Sequence, residues 1–251
     1  METRIITFDG SETKASIVIE ASPTPGAAGL IAGNFLIESL EAKKVAEVVS
    51  PFFPQISLIN DQGIASRPKI EIYIADVQGR KILLMSRNFP VESNEGSHIL
   101  ARKLYEFLAE RGVVEYYVFA SGRITGERGV YVSSTSIDEV KSFLAAGARL
   151  SPSLESLPVD KLTGFLMMFF AREKKRVFLL LSDTPSYFPD PLAARRLLEV
   201  FSRGTQLQLD FSKLDAEIEK QRRVMEEVEQ GALGLAGERE EKSSREPFYI
   251  G

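Results

Sequence analysis

The feature that most constrains this chain is Pro25-Gly26-Ala27-Ala28-Gly29-Leu30-Ile31-Ala32-Gly33, a glycine-bearing turn opening a helical run that reaches Leu40. An apolar strand, Ala15 to Glu20, and the turn residues Ser22-Pro23-Thr24-Pro25 come before it. Lys43-Lys44 and a second apolar strand, Val45 to Val49, come after. Strand, turn, helix, strand is the order of a βαβ unit, which predicts an α/β domain. Gly26, Gly29 and Gly33 are spaced to lie along one side of the helix. Glycine inside a helix costs about 0.5–1 kcal/mol relative to alanine, and close approach of that bare side to a sheet is the expected compensation. The competing reading is a phosphate cradle, because helix N-termini attract anions. Gly26-Ala27-Ala28-Gly29 is not G-x-G-x-x-G, however, and no Gly-Lys-Ser/Thr follows. Close packing is the reading adopted.

With 251 residues and 44% apolar side chains there is material for a full core. The length suits one α/β domain, or a domain with an extension. Net charge is −4, with acids and bases interspersed, which does not suggest a nucleic-acid surface. No apolar run is long enough to span a bilayer. Met1-Glu2-Thr3-Arg4 does not begin a signal peptide. There is no cysteine, so disulfides, thiolate nucleophiles and Cys-metal sites are excluded. A cytoplasmic setting is expected.

Thr3–Phe8 and Ser16–Glu20 read as strands joined by a polar turn. Pro51-Phe52-Phe53-Pro54 reads as an apolar loop, and Ile56, Leu58 and Ile64 as a short edge strand. Lys69–Ala75 alternates as a half-buried strand, and Lys81–Met85 returns as its hairpin partner. A helix over His98–Arg111 buries Leu100, Leu104, Phe107 and Leu108 and ends at Gly112. Glu115–Ala120 is a buried strand, Ser121–Gly129 a glycine-rich loop, and Val130–Ser133 a strand. A helix then starts at Ser136 or Asp138. Pro158–Lys175 reads as the most apolar helix, buried on more than one side. Arg176–Ser182 is a central strand, and Asp190-Pro191 caps a helix that ends at Gly204. The expected organisation is an α/β core over 1–209, an amphipathic helix over 210–230 and a flexible tail over 231–251. In the helix, Phe211, Leu214, Ile218, Met225 and Val228 form a coiled-coil-like seam, with Gln221 in the missing seat and Glu219–Arg223 outside. The tail is rich in Gly, Glu, Lys and Ser.

No catalytic, cofactor or metal residue is assigned. The single histidine, His98, has no triad partners at a telling spacing. No H-E-x-x-H or calcium-loop pattern occurs. Asp183 follows a central strand and reads as a turn or cap residue. Arg123, Arg128, Asp183 and Asp190 are candidates to converge at strand C-termini, where α/β proteins hold ligands. The tail carries the stronger signal. It ends on Pro247-Phe248-Tyr249-Ile250-Gly251, an aromatic tip beyond a polar tether. Such a tip either folds back on the body or docks in a partner's pocket, where aromatic anchors and a terminal carboxylate are recognised.

Four stretches together resemble the proteasome assembly chaperone 2 family in its archaeal form. They are Pro25–Ile37, Pro68–Tyr73, Leu162-Thr163-Gly164-Phe165-Leu166, and Pro189–Val200 with Leu207–Asp210 and Leu214 after it. The likeness runs from about Ile17 to Val228. It implies a three-layer α/β/α sandwich similar to nucleoside phosphorylases but without their activity, homo-oligomers, and a role in assembling or activating the proteasome core particle. Members of the family engage the α subunits through a C-terminal hydrophobic–Tyr–any motif. Phe248-Tyr249-Ile250 fits that pattern, with Gly251 extending one residue past it. The expected function is therefore a non-enzymatic proteasome chaperone or activator whose partner-binding residues are Phe248, Tyr249, Ile250 and Gly251. The alternative is a nucleotide- or phosphate-binding protein or enzyme that uses the Gly26–Gly33 turn or the Gly122–Gly129 loop.

Overall fold

The computed structural model describes residues 2–8, 14–59, 62–153, 159–185, 187–220 and 222–223. The chain divides into two compact units, Met1–Asp210 and Phe211–Gly251. The first unit is built on apolar strands that are buried at nearly every position. These are β2 (Ile17–Ala21), β8 (Glu115–Gly122) and β11 (Arg176–Asp183). Strands covered on both faces carry continuous apolar runs, and these sit in the middle of the sheet. Around them are β1 (Arg4–Thr7), β3 (Lys43–Val49), β6 (Ile70–Val77), β7 (Arg80–Ser86), β9 (Val130–Ser134) and β10 (Arg149–Leu150). The strand order among the described residues is β1-β3-β6-β7-β2-β8-β11-β9-β10. β7, β2, β8 and β11 run parallel, whereas β1, β3, β6 and β7 pair successively antiparallel.

Side chains alternate across a strand, so the two faces hold different residues. Val18, Leu83, Met85, Tyr116, Val118 and Leu179 face one layer, made by α2 (Asn94–Glu110) and α4 (Lys161–Arg172). Their neighbours Tyr117, Phe119 and Phe178 face the other layer, where they meet Phe143 of α3 (Lys141–Ala145) and Phe201 of α5 (Pro191–Thr205) at ring separations of 5.0–6.0 Å. α1 (Ala28–Ser39) packs beside α5 and over β2 and β8. The unit is thus a mixed α/β fold with helices on both faces of one sheet.

Several expectations change. β1 and β2 are not neighbours: β1 crosses to the far edge and pairs with β3. β3 is parallel to β2, as a βαβ unit requires, but β6 and β7 lie between them. Leu58–Ile59 and Ala65–Ser66, β4 and β5, form a separate two-stranded ribbon and not an edge of the main sheet. α2 begins four residues before His98, capped by Ser93. α3 is a single short turn beginning at Lys141. α4 is buried on more than one side, as expected, but not all round. Leu162, Leu166 and Phe170 are fully buried at i, i+4 and i+8, while Met168 is 64% exposed. An outer-layer helix has sheet beneath and α2 beside it, which leaves its remaining side open. In the second unit, residues 212–220 and 222–223 are helical, and Glu219 pairs with Arg222 at 2.7 Å and with Arg223 at 3.7 Å. Gln221, Met225 and Val228 lie outside the described residues.

Candidate functional site

The glycine turn is the first place to look for a ligand, and the protein itself fills it. Gly26 and Ala27 both have positive φ, 76° and 49°, which turns the chain into α1. A Cβ on Gly29 would lie 2.2 Å from the Phe119 carbonyl oxygen, and one on Gly33 would lie 2.4 Å from the Ala21 Cβ. Gly26 thus belongs to the turn and not to the helix side, while the bare side formed by Gly29 and Gly33 rests directly on β8 and β2. The helix entrance is also occupied. Ala28 N–H donates to the Ser121 hydroxyl at 3.1 Å. That hydroxyl donates to the Pro25 carbonyl at 2.7 Å, and Ser121 N–H donates to Thr24 Oγ1 at 2.8 Å. Asp190 N–H closes on the Gly26 carbonyl at 2.9 Å.

The loop after β8 is organised by Asp183. Ile124 N–H donates to one carboxylate oxygen at 3.0 Å. Thr125 N–H, Gly126 N–H and the Thr125 hydroxyl donate to the other at 3.0, 2.8 and 3.1 Å. Burial pushes this carboxyl up, but those four donors outweigh it and hold it below the ordinary aspartate range. Asp190 caps α5 through Ala193 N–H at 2.8 Å and accepts the Thr184 hydroxyl at 2.7 Å. The expected convergence is partial. Asp183 and Asp190 stand close enough to act on Arg196, as does Arg128. Arg123 and Arg128 are exposed on the loop. Both acids have their oxygens engaged in local hydrogen bonds, in the manner of turn and cap residues.

A second polar cluster lies beneath α4, and the sequence reading missed it. Arg87 follows β7 and is buried together with Glu20 of β2. Its guanidinium donates to Glu20 at 2.9 Å and to both oxygens of Asp160, the N-cap of α4, at 2.9 and 2.7 Å. It also reaches the Phe89 carbonyl at 2.7 Å and the Thr163 hydroxyl at 2.8 Å. Glu20 accepts from Thr163 at 2.7 Å and from the Tyr116 hydroxyl. Burial and the Glu20 charge hold the Tyr116 phenol well above its usual value. Burial opposes ionisation of Asp160, but Arg87 and the N–H groups of Val91 and Thr163 prevail and hold its carboxyl low. The signal available in the sequence was Glu20 itself, a charge inside the otherwise apolar run Ile17–Ala21. With Arg87 and Glu20 fully buried and Asp160 nearly so, the cluster ties two strands to a helix start.

A cavity of about 350 Å³ opens at the N-terminal ends of β2, β8 and β11, with Arg80, Glu115, Tyr117 and Arg176 in its wall. Its charges are already used: Arg176 pairs with Glu115, and Arg80 donates to the Thr205 carbonyl at 3.3 Å. It is at the opposite end of the sheet from the usual ligand crevice. Among the described residues no group of three or more His, Asp or Glu is placed to hold a metal, and no helix is long and apolar enough to cross a membrane. His98 packs against Phe165 and Phe169 at 5.4 and 5.3 Å, joining α2 to α4. Phe248, Tyr249, Ile250 and Gly251 lie outside the described residues.

Comparison with known proteins places this geometry. An uncharacterized protein of Methanocaldococcus jannaschii is 22% identical over 241 residues, covering 94% of this chain and 92% of its own length. Among solved structures, Pyrococcus furiosus PbaB, described as an archaeal proteasome activator, superposes with a TM-score of 0.78 at 24% identity, over 91% of this chain and 99% of that one. Pyrococcus furiosus PbaA, described as an archaeal homolog of proteasome-assembly chaperone, gives 0.73 at 23% identity, over 98% of this chain and 100% of that one. A Mycobacterium tuberculosis proteasome-assembly chaperone homologue gives 0.65 at 18%, over 84% of this chain and 94% of that one. These likenesses show a shared fold. The model of the PAC2 family matches residues 18–229, nearly the whole span of both the sheet and its helices, and this chain belongs to the PAC2 family.

Proposed function

We propose that this protein is a non-enzymatic chaperone or activator of the proteasome core particle. In this reading it acts as a cytoplasmic, archaeal homo-oligomer that docks Phe248-Tyr249-Ile250-Gly251 into pockets of the α ring. The observation that carries the reading is family membership across residues 18–229. Fold likeness to proteins described as a proteasome activator and an assembly-chaperone homolog supports it. The body adds support, since the Ser121 hydroxyl beside the glycine turn and the Asp183 carboxylate under the β8–β9 loop are already engaged in hydrogen bonds within the chain. The proposal includes a phosphorylase-like architecture without phosphorylase activity.

Several tails on tethers, facing a ring of equivalent pockets, gain avidity of about 10²–10⁴ over one peptide when the spacing fits. That mechanism needs an oligomer. The open side of α4 is the proposed self-association surface, with Met168 exposed and Phe165, Met167 and Phe169 half-buried. Met168→Lys is expected to lower the mass seen by light scattering. A wild-type monomer at micromolar concentration would remove the oligomer from the proposal.

The deciding experiment is co-elution with purified core particle, with and without residues 248–251. Loss of binding by a truncated protein that keeps its fold and mass is expected, and retained co-elution would refute tail docking. A panel of phosphate and nucleotides is expected to leave the melting temperature unchanged. Saturable stabilisation lost on Arg123→Ala would reinstate a small-molecule reading.

A further inference from the structure

The described residues leave one corner of the main sheet with an unpaired strand edge, an apolar groove and surplus positive charge. β1 is the last strand on its side. Phe8 N–H donates to the Val45 carbonyl at 3.0 Å, and the β1–β3 register continues through Ile6↔Glu47 and Arg4↔Val49. Bonded and non-bonded pairs alternate in an antiparallel ladder. The backbone N–H and C=O groups of Ile5 and Thr7 therefore point away from β3, along the open edge. An open edge is a template for one more extended segment.

Beside this edge runs a groove of about 920 Å³, the size of a site that holds several side chains. Ile6, Phe53, Pro54 and Ile56 supply apolar wall, and Arg4 and Arg67 supply charge. Ile6 is 42% exposed and Ile56 53%. The neighbouring charges cancel among themselves. Glu2, also on the groove, pairs with Lys103 at 3.1 Å. Lys44 and Lys69 pair with Glu47 and Glu71 across β3 and β6. Among the described residues Arg4 and Arg67 have no acidic partner, so the groove presents two uncompensated guanidinium groups over apolar walls.

We propose that this corner binds an extended peptide segment of a partner protein, one that carries a bulky apolar side chain next to a carboxylate. The segment adds a strand to β1 through Ile5 and Thr7. Its apolar side chain fills the groove, and its acid meets Arg4 or Arg67. Backbone pairing supplies affinity, and the alternate side chains supply selectivity. A second copy of this chain fits less well, because edge-to-edge pairing of two β1 strands sets the same surplus charges against each other.

The test is selection of a random nine-residue display library on the full-length protein, followed by fluorescence polarization with the best synthetic peptide. Expected are enriched sequences that combine bulky apolar residues with Asp or Glu. Their affinity falls at least about tenfold in Arg4→Glu/Arg67→Glu, or when alternate peptide nitrogens are methylated, as a lost charge pair and a lost ladder would each require. Both arginines are exposed, so the melting temperature of the double variant is expected to match wild type. A library without enrichment, or enriched peptides indifferent to both the charge reversal and the methylation, overturns the proposal. A synthetic Arg245–Gly251 peptide binding this groove where the library yields nothing also overturns it, making the chain's own C-terminus the occupant. The outcome is independent of co-elution with the core particle, so either reading can fail alone.

Discussion

Arg87→Met is the perturbation whose cost the structure specifies most directly. Arg87 is the only cation among the groups that meet in the cluster, and two carboxylates, Glu20 and Asp160, depend on it. Methionine keeps much of the side-chain length and removes the charge. Glu20 would retain its hydrogen bonds from Thr163 and Tyr116, and Asp160 those from Val91 and Thr163 N–H at 2.7 and 3.1 Å. Neither acid would keep a counter-charge. Removing one partner of a buried ion pair costs about 3–5 kcal/mol, because the remaining charge stays desolvated. For a unit of this size each kcal/mol shifts the midpoint by about 2–4 °C, so a fall of about 6–20 °C is expected. Calorimetry and denaturant titration would measure it. The pH dependence gives a second check. Asp160 is held below its usual range in the wild type, so its contribution is present above the unfolded-state pKa and is lost as pH falls through the folded value. In the variant Asp160 loses the guanidinium that holds it ionised, so the gap between variant and wild type should narrow as pH falls through the folded-state value of Asp160. Adding Glu20→Gln to Arg87→Met should recover part of the loss at neutral pH. A single variant within about 1 kcal/mol of wild type would refute the reasoning, since the guanidinium would then not be the counter-charge of this cluster.

Gly29→Ala should destabilise by about 1–3 kcal/mol despite the helix preference for alanine, because the new Cβ would meet the Phe119 carbonyl of a central strand; urea titration would check it. Ala32→Gly on the same helix creates no clash, and its loss should combine about 1 kcal/mol of helix propensity with the loss of one fully buried methyl group. Asp183→Asn should raise amide exchange at Ile124, Thr125 and Gly126 and cost about 1–3 kcal/mol. Because the Asp183 carboxyl is held low, the difference from wild type should be full at neutral pH and shrink as pH falls through its folded value; exchange rates equal to wild type at neutral pH would show that the loop does not depend on this acid.

Most of the element order was legible from the chain alone, because it depends on local periodicity and punctuation. The alternation in Lys69–Ala75, the cap at Asp190-Pro191 and the stop at Gly112 each act within a few residues, and each reappears in the structure. Close packing of Gly29 was legible for the same reason, as one bare helix side needs a near neighbour. Strand order was not, since β1 reaches β3 only across the intervening chain, and nothing in Arg4–Thr7 names its partner. The Arg87 cluster was hidden more deeply. Its members are 67 and 73 residues apart, and a buried arginine looks like any other until the fold brings its acids to it. Exposure on α4 was also set by tertiary structure: the helix's apolar residues are spread around its axis, and only the placement of the sheet and α2 decided which of them stay in solvent. The chain itself dictated which segments pair water with one face and oil with the other. The assembled sheet decided which charges had to meet in the dark, because desolvation is a property of the surroundings and not of the residue.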